Sequence, residues 1–104
     1  MLYDKRWDAK RQKADRVGKL LLDAADYIEQ HGWCQKLLNK PDGSVCTMGA
    51  IYYAARNAKC QTAPMVKRLQ AHLDRSDIGR WNDKHCTSKA QAVATLRAAA
   101  GHQS

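Results

Sequence analysis

Glycine and proline are scarce in this chain, at 6 and 2 of 104 residues. That excludes collagen-like and low-complexity architectures and leaves few obligatory breaks in regular structure. No apolar run exceeds a few residues, so nothing is expected to span a bilayer. The stretch Met1-Leu2-Tyr3-Asp4-Lys5-Arg6-Trp7-Asp8 has no apolar segment of the secretory kind, and a cytosolic setting is the expectation. Several chemical signatures are missing as well: no Cys-x-x-Cys pair, no glycine-rich phosphate cradle, no H-E-x-x-H and no G-x-S-x-G. The 10 acidic residues are few and mostly stand singly, so no pair suited to acid–base work is evident. An enzyme is therefore not expected, and no cofactor is implied.

What remains is a chain of one-domain size, 44% hydrophobic and 27% charged, with a marked excess of base. Lysine and arginine number 18, giving a formal charge of +8. The excess is uneven: residues 1–35 hold seven basic and six acidic side chains, whereas residues 36–104 hold eleven and four. A one-sided charge of this kind attracts polyanions, although it also serves simply to keep a small domain in solution.

Four cysteines, Cys34, Cys46, Cys60 and Cys86, are widely separated. A disulfide framework would need an oxidising compartment, which nothing in the sequence indicates. The best metal set is His31, Cys34 and Cys46 with His85 and Cys86, but adjacent residues such as the last two rarely both reach one ion from regular backbone. Small buried thiols are the better reading.

Hydrophobic spacing gives an all-α chain: a compact bundle of about four helices with a long N-terminal helix and two packed loops. Tyr3, Trp7, Ala14, Val17, Leu21, Ala24 and Ile28 recur at intervals that place them on one helix face, and His31-Gly32 supplies the stop. Residues 1–16 are read as a charged helical arm and 17–104 as a single helical domain; the arm offers a seam for a homodimer. Pro41-Asp42-Gly43 marks a turn. Trp33, Leu37 and Leu38 are too apolar to sit free, so loop 32–46 is expected to pack down. The next helix is expected after Thr47 as N-cap, with Met48, Ile51, Tyr52 and Ala55 inward. A third begins at Thr62 with Pro64 in its first turn and Met65, Val66, Leu69 and Leu73 inward. The last begins near Ser88, where Ser88-x-x-Gln91 fits a capping box, and ends at Gly101.

The segment Ile78-Gly79-Arg80-Trp81-Asn82-Asp83, followed by Thr87 and a helix carrying Val93, Leu96, Arg97, Ala98 and Ala99, resembles the C-terminal pattern of a small uncharacterised family of actinobacterial and bacteriophage proteins. Gly32-Trp33 and Cys46-Thr47-Met48-Gly49-Ala50 add to the likeness. The resemblance implies a phage or mobile-element origin, and hence the cytoplasm of a bacterial host, but no activity.

Two functional expectations follow. The first is a non-enzymatic basic accessory protein that binds nucleic acid mainly through phosphates, using Arg56, Lys59, Lys67, Arg68 and Arg75 and helped by Lys5, Arg6, Trp7, Lys10 and Arg11 of the arm. The helix–short turn–helix spacing around Lys59-Cys60-Gln61 also admits a helix-turn-helix, though the turn lacks glycine. The alternative is an interaction module docking on an acidic host protein. Trp33, Trp81, Asn82 and Asp83 are read as structural, with Trp81 plugging the core and the polar pair satisfying local backbone N–H groups.

Overall fold

The computed structural model describes residues 16–101. Among the described residues five helices follow one another: α1 (Arg16–His31), α2 (Thr47–Asn57), α3 (Ala63–Leu73), the short α4 (Ile78–Arg80), which continues into a π-helical turn over Trp81–His85, and α5 (Lys89–Ala100). Among the described residues there is no strand, and extended pairing is confined to two isolated bridges from Val45 to Trp33 and Asn39. The all-α expectation holds, with one short helix more than anticipated. The arm lies outside the described residues except for Arg16, which begins α1.

The stripe on α1 explains the architecture. Leu20, Leu21, Ala24, Ala25 and Ile28 are buried, while Asp23, Asp26 and Glu29 face water. This helix packs chiefly on α5 and α2, and also on α3, so it forms the centre of the bundle. The facing side of α5 is built from Ala92, Val93, Leu96, Ala99 and Ala100, and small residues on both helices permit close approach. Gly32 ends α1 with φ +100, the left-handed geometry for which the sequence supplied a glycine.

Two details of α2 differ from expectation. Its N-cap is Cys46, whose Sγ accepts from the Gly49 N–H at 3.2 Å; Thr47 is already helical. Its inner face is turned by about one residue: Ala50, Ile51, Ala54 and Ala55 are buried, whereas Tyr52 is exposed. Counting large apolar residues misled here because the alanines are what let α2 lie close to its neighbour. Helix α3 buries Met65 and Leu69, with Val66 and Leu73 partly covered, and closes on Asp74 at φ 53. At α5, Ser88 Oγ accepts from Gln91 N at 3.1 Å, but the Gln91 side-chain Oε1 accepts from Thr87 N and Oγ1, one residue before the expected box.

The connection between α1 and α2 is tightly built. Asp42 accepts from Ser44 N and Oγ at 2.9 and 2.6 Å, closing the predicted turn, with Gly43 at φ +92. Cys46 N donates to Leu38 O at 3.1 Å. The loop nevertheless departs from expectation, because Leu37 and Leu38 are 54% and 62% exposed instead of packed down. Their backbone is what packs: a Cβ at Gly49 would fall inside contact distance of the Leu38 carbonyl. Gly49→Ala should therefore destabilise the fold by about 2 kcal/mol or more, by overpacking against backbone that cannot rotate away; a urea melt at unchanged midpoint would contradict this account of the contact.

Candidate functional site

Trp81-Asn82-Asp83 lies where two connections meet. Trp81 and Asn82 are both buried, and Trp81 belongs to the core. The Asn82 side-chain oxygen accepts from Trp33 Nε1 at 2.7 Å, Thr47 Oγ1 at 2.6 Å and Thr47 N at 3.0 Å. Its Nδ2 donates to Cys34 O at 3.1 Å and to Asp83 Oδ1 at 3.2 Å. Indole and backbone N–H groups can only donate and a carbonyl can only accept, so the chemistry fixes the orientation of this amide. Asp83 Oδ1 also accepts from Lys36 N at 2.7 Å. The expectation of local backbone partners is corrected: the N–H groups that Asn82 and Asp83 satisfy belong to Thr47, at the start of α2, and to Lys36 in the preceding loop.

The π-helical turn has its own requirement. Its wider winding brings Cys86 N to Trp81 O at 2.8 Å and leaves carbonyls of the turn in need of donors. Gln35 Nε2 lies 3.1 Å from each of the Asn82, Asp83 and Cys86 carbonyl oxygens and supplies them. Among the described residues no buried side-chain nitrogen or oxygen is left without a partner.

All four cysteines are free thiols, with Cys34, Cys46 and Cys86 buried. Burial, the largest influence, pushes the Cys46 and Cys86 thiols above their ordinary range, away from the thiolate that nucleophilic chemistry needs. His85 is exposed, whereas Cys86 Sγ donates to Ser88 O at 3.4 Å. His31 stacks on Tyr27 with ring centroids 4.0 Å apart, and Tyr27 stacks in turn on Tyr53. Among the described residues no three metal-binding side chains converge, so the five metal candidates are not brought together.

The basic candidates are placed as follows. Arg56 is exposed near the end of α2, and Lys59, in the following turn, adopts φ 56. On α3, Lys67 is exposed and Arg68 is half-buried, with a partner within the chain. Arg75 follows α3 and lines a cleft of about 410 Å3 together with Asp74, Asp77, Arg80, Trp81 and His85. Arg80 was not singled out from the sequence, although it stands inside the quoted motif. Helices α2 and α3 scarcely touch each other, each being seated on α1, so the mutual packing of a helix-turn-helix is absent. Lys5, Arg6, Trp7, Lys10 and Arg11 lie outside the described residues.

The ion pair between Arg97 and Asp26, at 3.5 Å, joins two exposed side chains of α5 and α1. Of the four acids in residues 36–104, three accept from backbone N–H groups: Asp42 from Ser44 N, Asp77 from Arg80 N and Asp83 from Lys36 N. The Lys36 N–H beside Asp83, assisted by the Asn82 amide, holds that carboxyl below its usual value of 3.8.

Residues 12–102 match the sequence model of a family described only as a family of unknown function. No curated protein and no solved structure is significantly similar to the chain.

Two stability predictions follow from the motif. Asn82→Ala strands the Trp33 indole, the Thr47 N–H and the Cys34 carbonyl, and should cost about 3 kcal/mol or more in chemical denaturation. Asp83→Ala should cost about 1 kcal/mol at neutral pH through loss of the charge-assisted bond to Lys36 N. Because the folded carboxyl titrates below the unfolded one, that contribution is complete above the ordinary carboxylate range. It fades as the pH falls through 3.8 towards the folded value. Wild type and Asp83→Ala should thus converge in stability on acidification; a constant gap would show that the carboxylate charge is irrelevant.

Proposed function

We propose that this chain, which belongs to DUF6197, a family of unknown function, is a non-enzymatic basic accessory protein that binds nucleic acid mainly through phosphate contacts. The observation that supports this reading is that several of its bases are exposed and form no ion pair: among the described residues no acidic side chain pairs with Arg56, Lys59, Lys67 or Arg75. Exposed cations hold mobile counterions, and releasing these on a phosphate backbone is a favourable, sequence-independent source of affinity. The raised thiols of Cys46 and Cys86 support the non-enzymatic part of the reading. A phage or prophage origin, with action in the cytoplasm of the bacterial host, completes the proposal, and the motif around Trp81 is what suggests it. Among the described residues no helix is long and apolar enough to cross a membrane.

The test is salt. If Arg56, Lys59, Lys67, Arg68 and Arg75 each neutralise one phosphate, affinity for a short DNA duplex should fall roughly five-hundred-fold between about 50 and 200 mM monovalent salt. Replacing Lys67 and Arg75 by alanine should weaken binding equally for unrelated sequences and reduce the slope by about two. Fluorescence anisotropy measures both; binding indifferent to salt, or none at low salt, would sink the proposal.

A further inference from the structure

Four aromatic rings stand in a row between α1 and α2. His31 stacks on Tyr27 with planes 18° apart, Tyr27 stacks on Tyr53 at 5.0 Å and 4°, and Tyr53 meets Tyr52 edge to face at 5.7 Å and 80°. The row is tethered on both sides: His31 Nδ1 lies 3.1 Å from the Tyr27 carbonyl oxygen, and the Tyr53 hydroxyl accepts from Asn39 Nδ2 at 3.1 Å. Tyr27 and Tyr53 are half-buried, whereas Tyr52, at the end of the row, is 51% exposed. In a perpendicular contact one of the two rings offers only its edge. Tyr52 therefore keeps at least one face with no ring against it among the described residues. That face is ordered in advance, because its neighbour is held in a stack. Covering it with a flat partner costs little further side-chain freedom.

The charge beside Tyr52 is of one sign. Residues 43–73, which carry α2 and α3, contain no aspartate or glutamate. Arg56 follows Tyr52 at i+4 on the same face of α2, and Lys59 follows at i+7, just past the helix. Both are exposed, and neither pairs with an acid among the described residues. Acids stand instead towards the other end of the row, where Asp23 lies one turn before Tyr27, and in the loop past Asn39, where Asp42 closes its turn. The ring suits a flat π-face, and the two cations suit anions spaced along a chain beside it. A polynucleotide supplies both.

We infer that Tyr52, Arg56 and Lys59 form a site for single-stranded nucleic acid, one base stacking on the Tyr52 ring while the adjoining phosphates contact Arg56 and Lys59. A duplex keeps its bases stacked on one another and away from the ring, so the site selects unpaired strands. This site rests on the nucleic-acid reading above and narrows its target from any phosphate backbone to a strand with open bases.

Fluorescence anisotropy of the full chain with three labelled probes provides the test: a short oligothymidylate, an abasic strand of equal length and charge, and a duplex. At about 50 mM salt the oligothymidylate should bind about tenfold or more tighter than the abasic strand, which offers the same phosphates without bases. Tyr52→Ala should bring the oligothymidylate to the abasic level and leave the abasic affinity unchanged. The position is exposed and alanine favours helix, so the fold is kept. Tyr52→Trp should retain the preference. Ring protons of Tyr52 should shift upfield with oligothymidylate and not with the abasic strand. Equal affinity for the two strands would overturn the inference; salt-sensitive duplex binding in the same protein would then leave the phosphate reading standing alone. No binding of any probe would overturn both. A preference kept by Tyr52→Ala would also overturn the site, and its loss in Trp7→Ala would move the stacking to the arm. So would concentration-dependent self-association abolished by Tyr52→Ala, which would make a second copy the occupant.

Discussion

A single buried carboxamide joins the parts of this protein that the helices alone would leave separate. Asn82 receives donors from the indole of Trp33 and from the start of α2, and gives its own hydrogens to Cys34 and Asp83. In a low-dielectric interior each of these bonds is strong, and each partner would be expensive to leave unmade. The amide therefore fixes relative position where apolar contact would only favour proximity. The loop after α1, the entry to α2 and the π-helical turn become one assembly, and Gln35 locks it from the other side. Trp33 and Trp81 supply apolar mass around this polar centre, one partly and one fully buried.

The same economy shapes the surface. Asp42, Asp77 and Asp83 are committed to backbone N–H groups at a turn, a helix start and a strained loop residue. There they serve local geometry while keeping their negative charge, so the surplus of base in residues 36–104 follows from eleven basic against four acidic side chains. The proposed phosphate contacts draw on this imbalance.

Much of the helical architecture was legible in the sequence because it depends on periodicity and caps. The α1 stripe, Gly32 as its stop, the Pro41-Asp42-Gly43 turn, Pro64 in the first turn of α3 and Ser88 before α5 all carry signals within a few residues. What escaped depends on partners far along the chain. Asn82 meets residues 35 to 49 positions away, and no local pattern announces such a bond. Cys46 took the cap from Thr47 because the Thr47 hydroxyl had the Asn82 oxygen to serve instead. The exposure of Leu37 and Leu38 was hidden for a similar reason: apolar residues suggest burial, whereas loop backbone bonded to α2 and to Asp83 decided otherwise. For the basic candidates the sequence supplied identities, and the fold adds that Arg56, Lys59, Lys67 and Arg75 are exposed and pair with no acid among the described residues, while Arg68 is engaged.

The central position of α1 has a bearing on how the protein is made. Its longest shared surface is with α5, roughly seventy residues later in translation, so the first helix emerges from the ribosome well before its main partner exists. Until then Leu21, Ala24 and Ile28 can be only partly shielded, by α2 and later α3. A helical protein built mainly from neighbouring contacts would fold as it is synthesised. This one must wait to close its circle, and its nascent chain offers chaperones an apolar helix for the length of that delay.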